Sequence, residues 1–536
     1  MASFSLGRAS AVLASGTMVS RVLGFVMSIV FTQTIGLIGQ GADAFTVANG
    51  LPNTIYAIIA GGALNAVLVP QIVRAGLHAD GGRAYINRLL TLAFAVLLVA
   101  TVAATLLAPF LVRLNAAGYG PAQFQLAVAF AYWCLPQVFF YGLYTILGEV
   151  LNARGSFGPF TWTPVVNNVV AISGLLAFQA LFGNDAFGRR AASEWTPAMI
   201  AVLAGSATLG VALQALLLTL FWRRVGLSYR PDFRVRGVGL GRAGRIAGWT
   251  FAALLLTVLA GFIENSTVSA ASGSNASATA LQKAWLVFML PHSVIAVSVA
   301  TAYFTRMSGH AAAGRMAEFR SDVSASIRIV GMFLVFASVA LVVCAAPFAA
   351  VFTRDKSAIL PMAGIIVAYV VVLPLFSTLA IVQRAFYALD DGRTPFFYTL
   401  VQTAVFALGC LVALLVPPAL TALAVAISVS MGIAVQSILA CFLLRERLGG
   451  TGGSSVVLRF VQYILAALPA GLVGGGVMVV LFVELDEFPL SGLAPAIVSM
   501  VIAGTAMAIV YVTILWFFRV PELRTLAAPI LRRLGR

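Results

Sequence analysis

Charged side chains are scarce in this chain of 536 residues. They make up 9% of it, whereas a soluble globular protein carries about 25%. Hydrophobic residues reach 61%, and the mean hydropathy is +1.01. No polar stretch is long enough to form a separate soluble domain. The composition therefore predicts an integral membrane protein.

Lysine and cysteine are also rare, which excludes several classes of function. The two lysines follow Gln282 and Asp355, so neither can belong to a phosphate-binding loop, which requires Gly-Lys. The four cysteines lie inside apolar segments and form no metal-type pair, which argues against a zinc site or a disulfide framework. No Ser/His/Asp set stands out. We expect no enzyme, no catalytic residues, no cofactor and no bound metal.

The long apolar runs set the fold class. A membrane helix needs about 20 apolar residues, and fourteen runs of sufficient length are separated by charged or Pro/Gly-rich breaks. They cover 10–36, 43–73, 86–112, 122–151, 160–183, 197–222, 245–268, 277–305, 325–353, 358–388, 395–416, 419–444, 457–484 and 491–518. The prediction is an all-α membrane protein of about 14 helices.

The basic residues indicate the orientation of these helices. If the N-terminus is cytoplasmic, 26 basic residues fall on the inner side and 5 on the outer side. Such an excess inside is typical of bacterial membrane proteins. It places both termini in the cytoplasm, and an even number of spans agrees with it. It also explains the net charge of +16, so we expect contact with membrane lipids and no nucleic-acid partner.

A weak internal repeat divides the chain. Leu51-Pro52 and Leu290-Pro291 are 239 residues apart, and Leu135-Pro136 and Leu373-Pro374 are 238 residues apart. Repeats six spans apart run in the same direction through a membrane. We therefore predict two parallel six-helix lobes, 1–222 and 223–448. A Gly/Ser-rich linker precedes a third part, 449–536, with two further helices and a basic cytoplasmic tail.

Two cations, Arg21 and Lys283, lie inside predicted spans instead of at their ends. A charge in the hydrocarbon costs a few kcal/mol or more, so it usually faces a wet, protein-lined cavity. Span two carries polar residues at helical spacing, and span eight carries a shorter set. For Thr46 and Ser293 we expect ordinary hydrogen bonds between helices. The predicted substrate cavity comprises Arg21, Asp43, Asn49, Asn53, Tyr56, Gln282 and Lys283.

Bends and helix-end acids form a second group of candidates. The Leu-Pro prolines Pro52, Pro136, Pro291 and Pro374 break helical hydrogen bonding, which suits helices that line a cavity and move, or simply kinked packing. Asp43, Glu149 and Glu264 lie toward span ends. They could act in gating, pair with a cation or bind a coupling ion, or they could be hydrated charges at helix ends.

At these positions the chain resembles the MurJ/MviN family of lipid II flippases, within the multidrug/oligosaccharidyl-lipid/polysaccharide exporter superfamily. The resemblance is carried by short motifs in the first half: Ser20-Arg21-Val22-Leu23-Gly24-Phe25, Ala42-Asp43-Ala44-Phe45, Leu51-Pro52-Asn53, Val69-Pro70, Leu135-Pro136, Leu151-Asn152, Phe157 with Pro159, and Pro164 with Asn167. It implies fourteen spans, with two lobes around a cationic cavity.

The same resemblance implies a substrate. It is an undecaprenyl-pyrophosphate-linked peptidoglycan precursor, lipid II, carried across the bacterial cytoplasmic membrane by alternating access. Arg21 matches the family's arginine in the first span. Where family members have further cations, this chain has Met27, Tyr56 and Ala57; the family's span-eight arginine aligns with Leu286, and Lys283 lies one turn earlier. A family acid corresponds to Gly61.

Two alternatives stay open. The chain could export another polyprenyl-linked glycan or an amphiphile, or it could be a non-transporting scaffold for cell-wall enzymes. For partners we expect a lipid-linked anionic precursor, together with proteins of cell-wall synthesis or division. We expect a monomeric transporter, driven by a coupling ion or by the membrane potential.

Overall fold

A computed structural model describes residues 6–60, 83–222, 229–232, 240–450 and 453–523. These residues form helices joined by short turns, and none of them lies in a strand. Thirteen of the helices, some interrupted by a break, are long and apolar enough to cross a membrane. One further helix, Gln40–Ile59, begins the predicted second span, and the rest of that span lies outside the described residues. The predicted all-α architecture of about fourteen membrane helices is confirmed.

The helices divide between two compact units, Met1–Thr279 and Ala280–Arg536. The division into three parts stays a prediction. In the first unit the helices, in chain order, are α1 Leu6–Ile35, α2 Gln40–Ile59, α3 Arg83–Leu106, α4 Ala108–Asn115, α5 Pro121–Cys134, α6 Gln137–Ala153, α7 Phe157–Phe182, α8 Pro197–Trp222 and α9 Leu240–Val268.

The remaining helices begin just before the boundary between the units. They are α10 Ala278–Pro291, α11 Val297–Ala312, α12 Met316–Val343, α13 Ala345–Phe352, α14 Lys356–Val370, α15 Leu373–Ala388, α16 Arg393–Ala413, α17 Pro418–Leu448, α18 Gly453–Val483 and α19 Leu493–Phe517. A single π-helical turn, His292–Ala296, joins α10 to α11.

The Leu-Pro positions differ in their effect on the helices. Pro136 lies in the break between α5 and α6, and Pro374 lies in the first turn of α15, after the break that ends α14. Pro291 is the last residue of α10, and the π-helical turn follows it. Pro52 lies inside α2, which continues to Ile59. Three of the four prolines therefore coincide with an interruption of the helix, as their missing N–H and ring bulk favour.

The structure adds a third match to the internal repeat. The short helices α4 and α13 each follow a break, at Leu107 and at Cys344. Both contain Ala-Pro-Phe, at Ala108-Pro109-Phe110 and Ala346-Pro347-Phe348, again 238 residues apart. Each unit thus has a long helix, a break and a short helix at the same place in its order.

The last two membrane helices are held against α12, in the same unit, by packing and by charge. A buried cluster joins α12, α18 and α19 and includes Met332, Tyr463 and Met507. Below it, Glu522 accepts a hydrogen bond from Arg328 Nε at 2.6 Å, and its other oxygen lies 4.0 Å from Arg459 Nε. The Glu522 side chain is 6% exposed, and its negative charge compensates the positive charges of both arginines.

We expect Glu522→Gln to weaken this attachment. The amide keeps the shape of the side chain but leaves Arg328 and Arg459 without a counter-charge. We expect the free energy of unfolding to fall by about 1–3 kcal/mol. This is less than the cost of breaking a fully buried ion pair, because the two arginines are about a quarter exposed. The measurement is thermal unfolding in detergent. Glu446→Gln, an exposed glutamate near the end of α17, is the control; equal melting temperatures for the two variants would contradict the prediction.

Candidate functional site

Asp43 lies at the centre of a buried hydrogen-bonded cluster near the start of α2. Its carboxylate accepts a bond from Ser272 Oγ at 2.6 Å and from the backbone N–H of Thr279 at 2.9 Å. Thr279 is in the first turn of α10, where backbone N–H groups have no partner within the helix. The Asp43 carboxylate satisfies one of them, and its negative charge is favourable at a helix N-terminus.

Further bonds hold the same segment. Gln123 Nε2 donates to Ser272 Oγ at 2.7 Å and to the carbonyl of Gln40 at 3.2 Å. The hydroxyls of Thr46 and Thr279 are 2.9 Å apart, which confirms the predicted bond between helices for Thr46. We call Asp43, Thr46, Gln123, Ser272 and Thr279 the Asp43 cluster. All of its members belong to the first unit.

The backbone next to the cluster needs a glycine. Gly273 has φ +95°, in the left-handed region that favours glycine. A Cβ on Gly273 would also lie 2.9 Å from Cγ of Gln40, closer than such atoms approach. This turn brings Ser272 under Asp43, so the local conformation and the hydrogen bond support each other.

A second polar group follows α2 toward its C-terminal half. Gln137, the first residue after the Pro136 break, is buried and donates to Asn49 Oδ1 and Thr208 Oγ1, both at 3.0 Å. The Tyr56 hydroxyl lies 2.6 Å from Thr145 Oγ1, and its ring centroid is 5.9 Å from that of Tyr141. Asn53, between these two groups, is exposed. This face of α2 is thus polar and aromatic, and its hydrogen bonds are organised by α6.

The two cations of interest differ in exposure. Arg21 is exposed on α1. The neighbouring Ser20 carbonyl accepts a bond from Asn168 Nδ2 at 2.9 Å, which fixes this part of α1 on α7. In the second unit, Lys283 is 6% exposed, whereas Gln282 beside it is exposed. Gln282 therefore lies on the open side of α10 and Lys283 on the packed side.

The remaining predicted residues are dispersed. Glu149 lies in α6 and Glu264 in α9, and both are partly exposed. Ser293 Oγ donates to the carbonyl of Leu290 at 3.0 Å, within its own chain segment, so the predicted bond between helices was wrong for this serine. Gly61 lies outside the described residues. Among the residues that the structure describes, no group of three or more His, Cys, Asp and Glu side chains could hold a metal ion.

Sequence reasoning missed six residues of these groups: Gln123, Gln137, Tyr141, Thr145, Thr208 and Ser272. All are uncharged, five of them in apolar helices and Ser272 in a turn. One signal was available for Gln137. It directly follows a Leu-Pro break, where a side-chain amide can replace a lost helical partner.

The fold is that of the transporters of the multidrug/oligosaccharidyl-lipid/polysaccharide exporter superfamily. A solved structure described as the inward-facing conformation of a multidrug resistance MATE family transporter of the MOP superfamily superimposes with a TM-score of 0.63. It is 18% identical and covers 83% of this chain and 99% of its own. A structure of lipid II flippase MurJ in an inward closed conformation superimposes with a TM-score of 0.74. It is 17% identical, and the match covers 95% of this chain and 98% of that structure.

Sequence comparison defines the family. The sequence model of the family "Lipid II flippase MurJ" matches residues 31–493, and the chain belongs to this family. The probable lipid II flippase MurJ of Rhizobium meliloti (strain 1021) is 27% identical over 507 residues, 92% of this chain and 89% of the relative. The corresponding protein of Rhizobium tropici is 26% identical over 409 residues, 73% of this chain and 72% of the relative. The chain is thus a multi-pass protein of the bacterial inner membrane and a transporter by family.

Proposed function

We propose that this chain moves lipid II across the bacterial cytoplasmic membrane by alternating access. The observation that carries the proposal is the family match over residues 31–493. It is supported by the transporter fold over nearly the whole length of the chain. The relatives bear the name probable lipid II flippase MurJ.

The substrate has a reason to meet cations and hydrogen-bonding groups. Its pyrophosphate is anionic, and arginine binds phosphate oxygens through two parallel N–H donors. Arg21 is exposed and can supply such a contact. Asn53 and Gln282 are exposed as well and can donate to sugar or peptide oxygens. The polyprenyl tail stays in the lipid while the headgroup crosses.

The Asp43 cluster fits the role of a gate at the outer end. The basic-residue count puts the start of α2 on the outer side, with both termini inside. While Asp43 binds Ser272 and Thr279, α2 is held against residues 272–279. Opening this end requires these bonds to exchange for water. A buried acid with several partners provides a two-state contact of this kind.

Three finer points belong to the same proposal. The transporter acts as a monomer, and its driving force is a coupling ion or the membrane potential. Glu149 and Glu264 are candidates for binding such an ion, because both are partly exposed acids on membrane helices. The Pro136 and Pro374 breaks allow the helices on either side to tilt independently.

The test is complementation. Bacteria depleted of their own lipid II flippase should grow when this chain is expressed, and accumulated lipid II should return to its normal level. Native mass spectrometry of the purified chain should then detect bound lipid II. Growth without clearance of lipid II would favour a scaffold, and a different co-purified polyprenyl lipid would favour another export substrate. Either result would overturn the proposal.

A further inference from the structure

A cavity of about 530 Å³, widely open to the surface, lies in the second unit, away from the residues discussed above. It forms where the end of α15, the start of α16 and the end of α17 meet. Six residues line it: Asp390, Asp391, Arg393, Thr394, Phe397 and Arg447. Its volume is in the range of small-molecule sites, roughly 300–1,000 Å³. Two arginines, two aspartates and one aromatic ring make an unusual lining for a chain with so few charges.

The carboxylate of Asp391 already forms hydrogen bonds within the protein. Asp391 Oδ1 accepts bonds from the backbone N–H groups of Arg393 and Thr394, at 3.1 and 3.0 Å. Its Oδ2 accepts from Thr394 Oγ1 at 2.8 Å. Asp391 therefore caps the first turn of α16, which is a structural role. Its charge is largely used by these donors, and the remaining lining groups decide what the cavity can bind.

The other aspartate is held at the rim by its backbone. Asp390 has φ +56°, and it follows α15 as the left-handed residue that ends the helix. The N–H of Asp391 bonds the carbonyl of Phe386 at 3.0 Å, and the N–H of Asp390 bonds that of Tyr387 at 3.1 Å. Glycine is the usual residue at this position. Here it is an aspartate, whose carboxylate lines the cavity.

The lining groups that remain are complementary to a zwitterion. Among the residues that the structure describes, none forms a hydrogen bond or ion pair with the side chain of Asp390 or of Arg447. The guanidinium carbon of Arg393 is 5.5 Å from the centre of the Phe397 ring. Arg393 and Arg447 thus offer two cationic groups, and Asp390 offers one anionic group. A phosphate would be drawn to the arginines and an ammonium group to Asp390.

The surface next to the cavity is apolar and exposed. Phe397 is 43% exposed, and Leu400 and Val401 continue the same side of α16. On α17, which packs against α16, Ile438 and Phe442 are exposed in the same way. Both helices are candidate membrane spans, so this surface meets acyl chains. A ligand that combined a charged headgroup with such chains would contact both parts.

We propose that this cavity binds the headgroup of a zwitterionic aminophospholipid, of the phosphatidylethanolamine type. The phosphate lies between Arg393 and Arg447, and the primary ammonium group lies at Asp390. The acyl chains run along the exposed side chains of α16 and α17. This site is independent of the lipid II pathway, so its failure and the failure of the proposed function can be told apart.

The test is native mass spectrometry of the full-length chain in detergent, titrated with lipids of identical acyl chains. Phosphatidylethanolamine should bind more tightly than phosphatidylglycerol. Arg447→Gln should lower the affinity for phosphatidylethanolamine about tenfold, which is the loss expected for one hydrogen bond to a charged group. Asp390→Asn should lower the affinity for phosphatidylethanolamine by a similar factor. It should leave the affinity for phosphatidylglycerol unchanged. The control is Arg445→Gln, which removes an exposed arginine from the same turn of α17 outside the cavity.

Three results would overturn the assignment. One is equal phosphatidylethanolamine affinity in Arg447→Gln and Arg445→Gln. Another is phosphatidylglycerol binding the unmodified chain as tightly as phosphatidylethanolamine. The third is free phosphoethanolamine competing at the concentrations at which the lipid binds, because a soluble headgroup would then be the ligand. Melting temperatures of the variants should match that of the unmodified chain, since both altered side chains are exposed.

Discussion

Replacing Arg21 by alanine should abolish lipid II flipping while the protein stays folded in the membrane. Arg21 is exposed on α1, and the bonds that fix this part of the helix are made by Ser20 and Asn168. Removing the guanidinium therefore leaves the packing intact. Each hydrogen bond to a charged group contributes about 1.5–3 kcal/mol, so the loss of a bidentate phosphate contact reduces flipping at least about a hundredfold. The measurement is lipid II flipping in cells that depend on this chain.

Two further variants test whether flipping needs only the positive charge of Arg21 or also its bidentate contact. Arg21→Lys keeps the charge but loses the bidentate contact, and we expect it to retain part of the activity. Arg315→Ala removes an exposed arginine just before α12, outside the predicted substrate cavity, and this variant should flip lipid II at the normal rate. Normal flipping by Arg21→Ala would mean that the pyrophosphate is bound elsewhere.

Lys283→Ala should also abolish flipping, but the structure changes how that result must be read. Lys283 is 6% exposed, so its loss can disturb packing as well as charge. Lys283→Met, which keeps most of the volume and removes the charge, distinguishes the two. Stable folding of Lys283→Met without flipping would assign the effect to the charge. Normal flipping by this variant would remove Lys283 from the substrate path.

The sequence predicts the helices well because each is an apolar run bounded by turns or charges. It also predicts the interruptions at Pro136 and Pro374, where a missing N–H leaves little choice. It does not predict which polar side chains meet. Gln282 and Lys283 are neighbours in the chain, yet one is exposed and the other buried. Helical spacing places them on adjacent faces, and only tertiary packing decides which face is covered.

For Asp43, the sequence predicts a polar helix face but does not predict the residues that bind to it. The spacing of Asp43, Thr46 and Asn49 predicts a polar face on α2. The partners of Asp43 are 229 and 236 residues away, at Ser272 and Thr279. Ser272 and Thr279 are ordinary polar residues in an Ala/Ser/Gly-rich segment. No local pattern pairs either of them with Asp43, so the proposed gate could be inferred only when the fold brought the two segments together.

Replacing Asp43 by alanine should therefore impair transport through the gate, without touching the substrate. The change leaves Ser272 Oγ and the N–H of Thr279 without their buried acceptor. Each unsatisfied group costs about 1–3 kcal/mol, so the closed state of the proposed gate loses roughly 2–6 kcal/mol relative to an open state, in which water can satisfy both groups. A difference of about 5.5 kcal/mol is enough to invert a 99:1 equilibrium. We expect flipping to fall at least about tenfold.

The opening can be measured directly. Ala276 is buried beside the cluster, so a cysteine placed there, in a chain whose own four cysteines are replaced by alanine, reports exposure to a membrane-impermeant thiol reagent. Asp43→Ala should increase the labelling rate strongly. Thr46→Val removes only one bond between hydroxyls and should change it much less. If labelling and flipping by Asp43→Ala both matched the unmodified chain, the cluster would be a structural contact and the gate would lie elsewhere. A rise in labelling together with a loss of flipping would mean that transport depends on closing this end of α2.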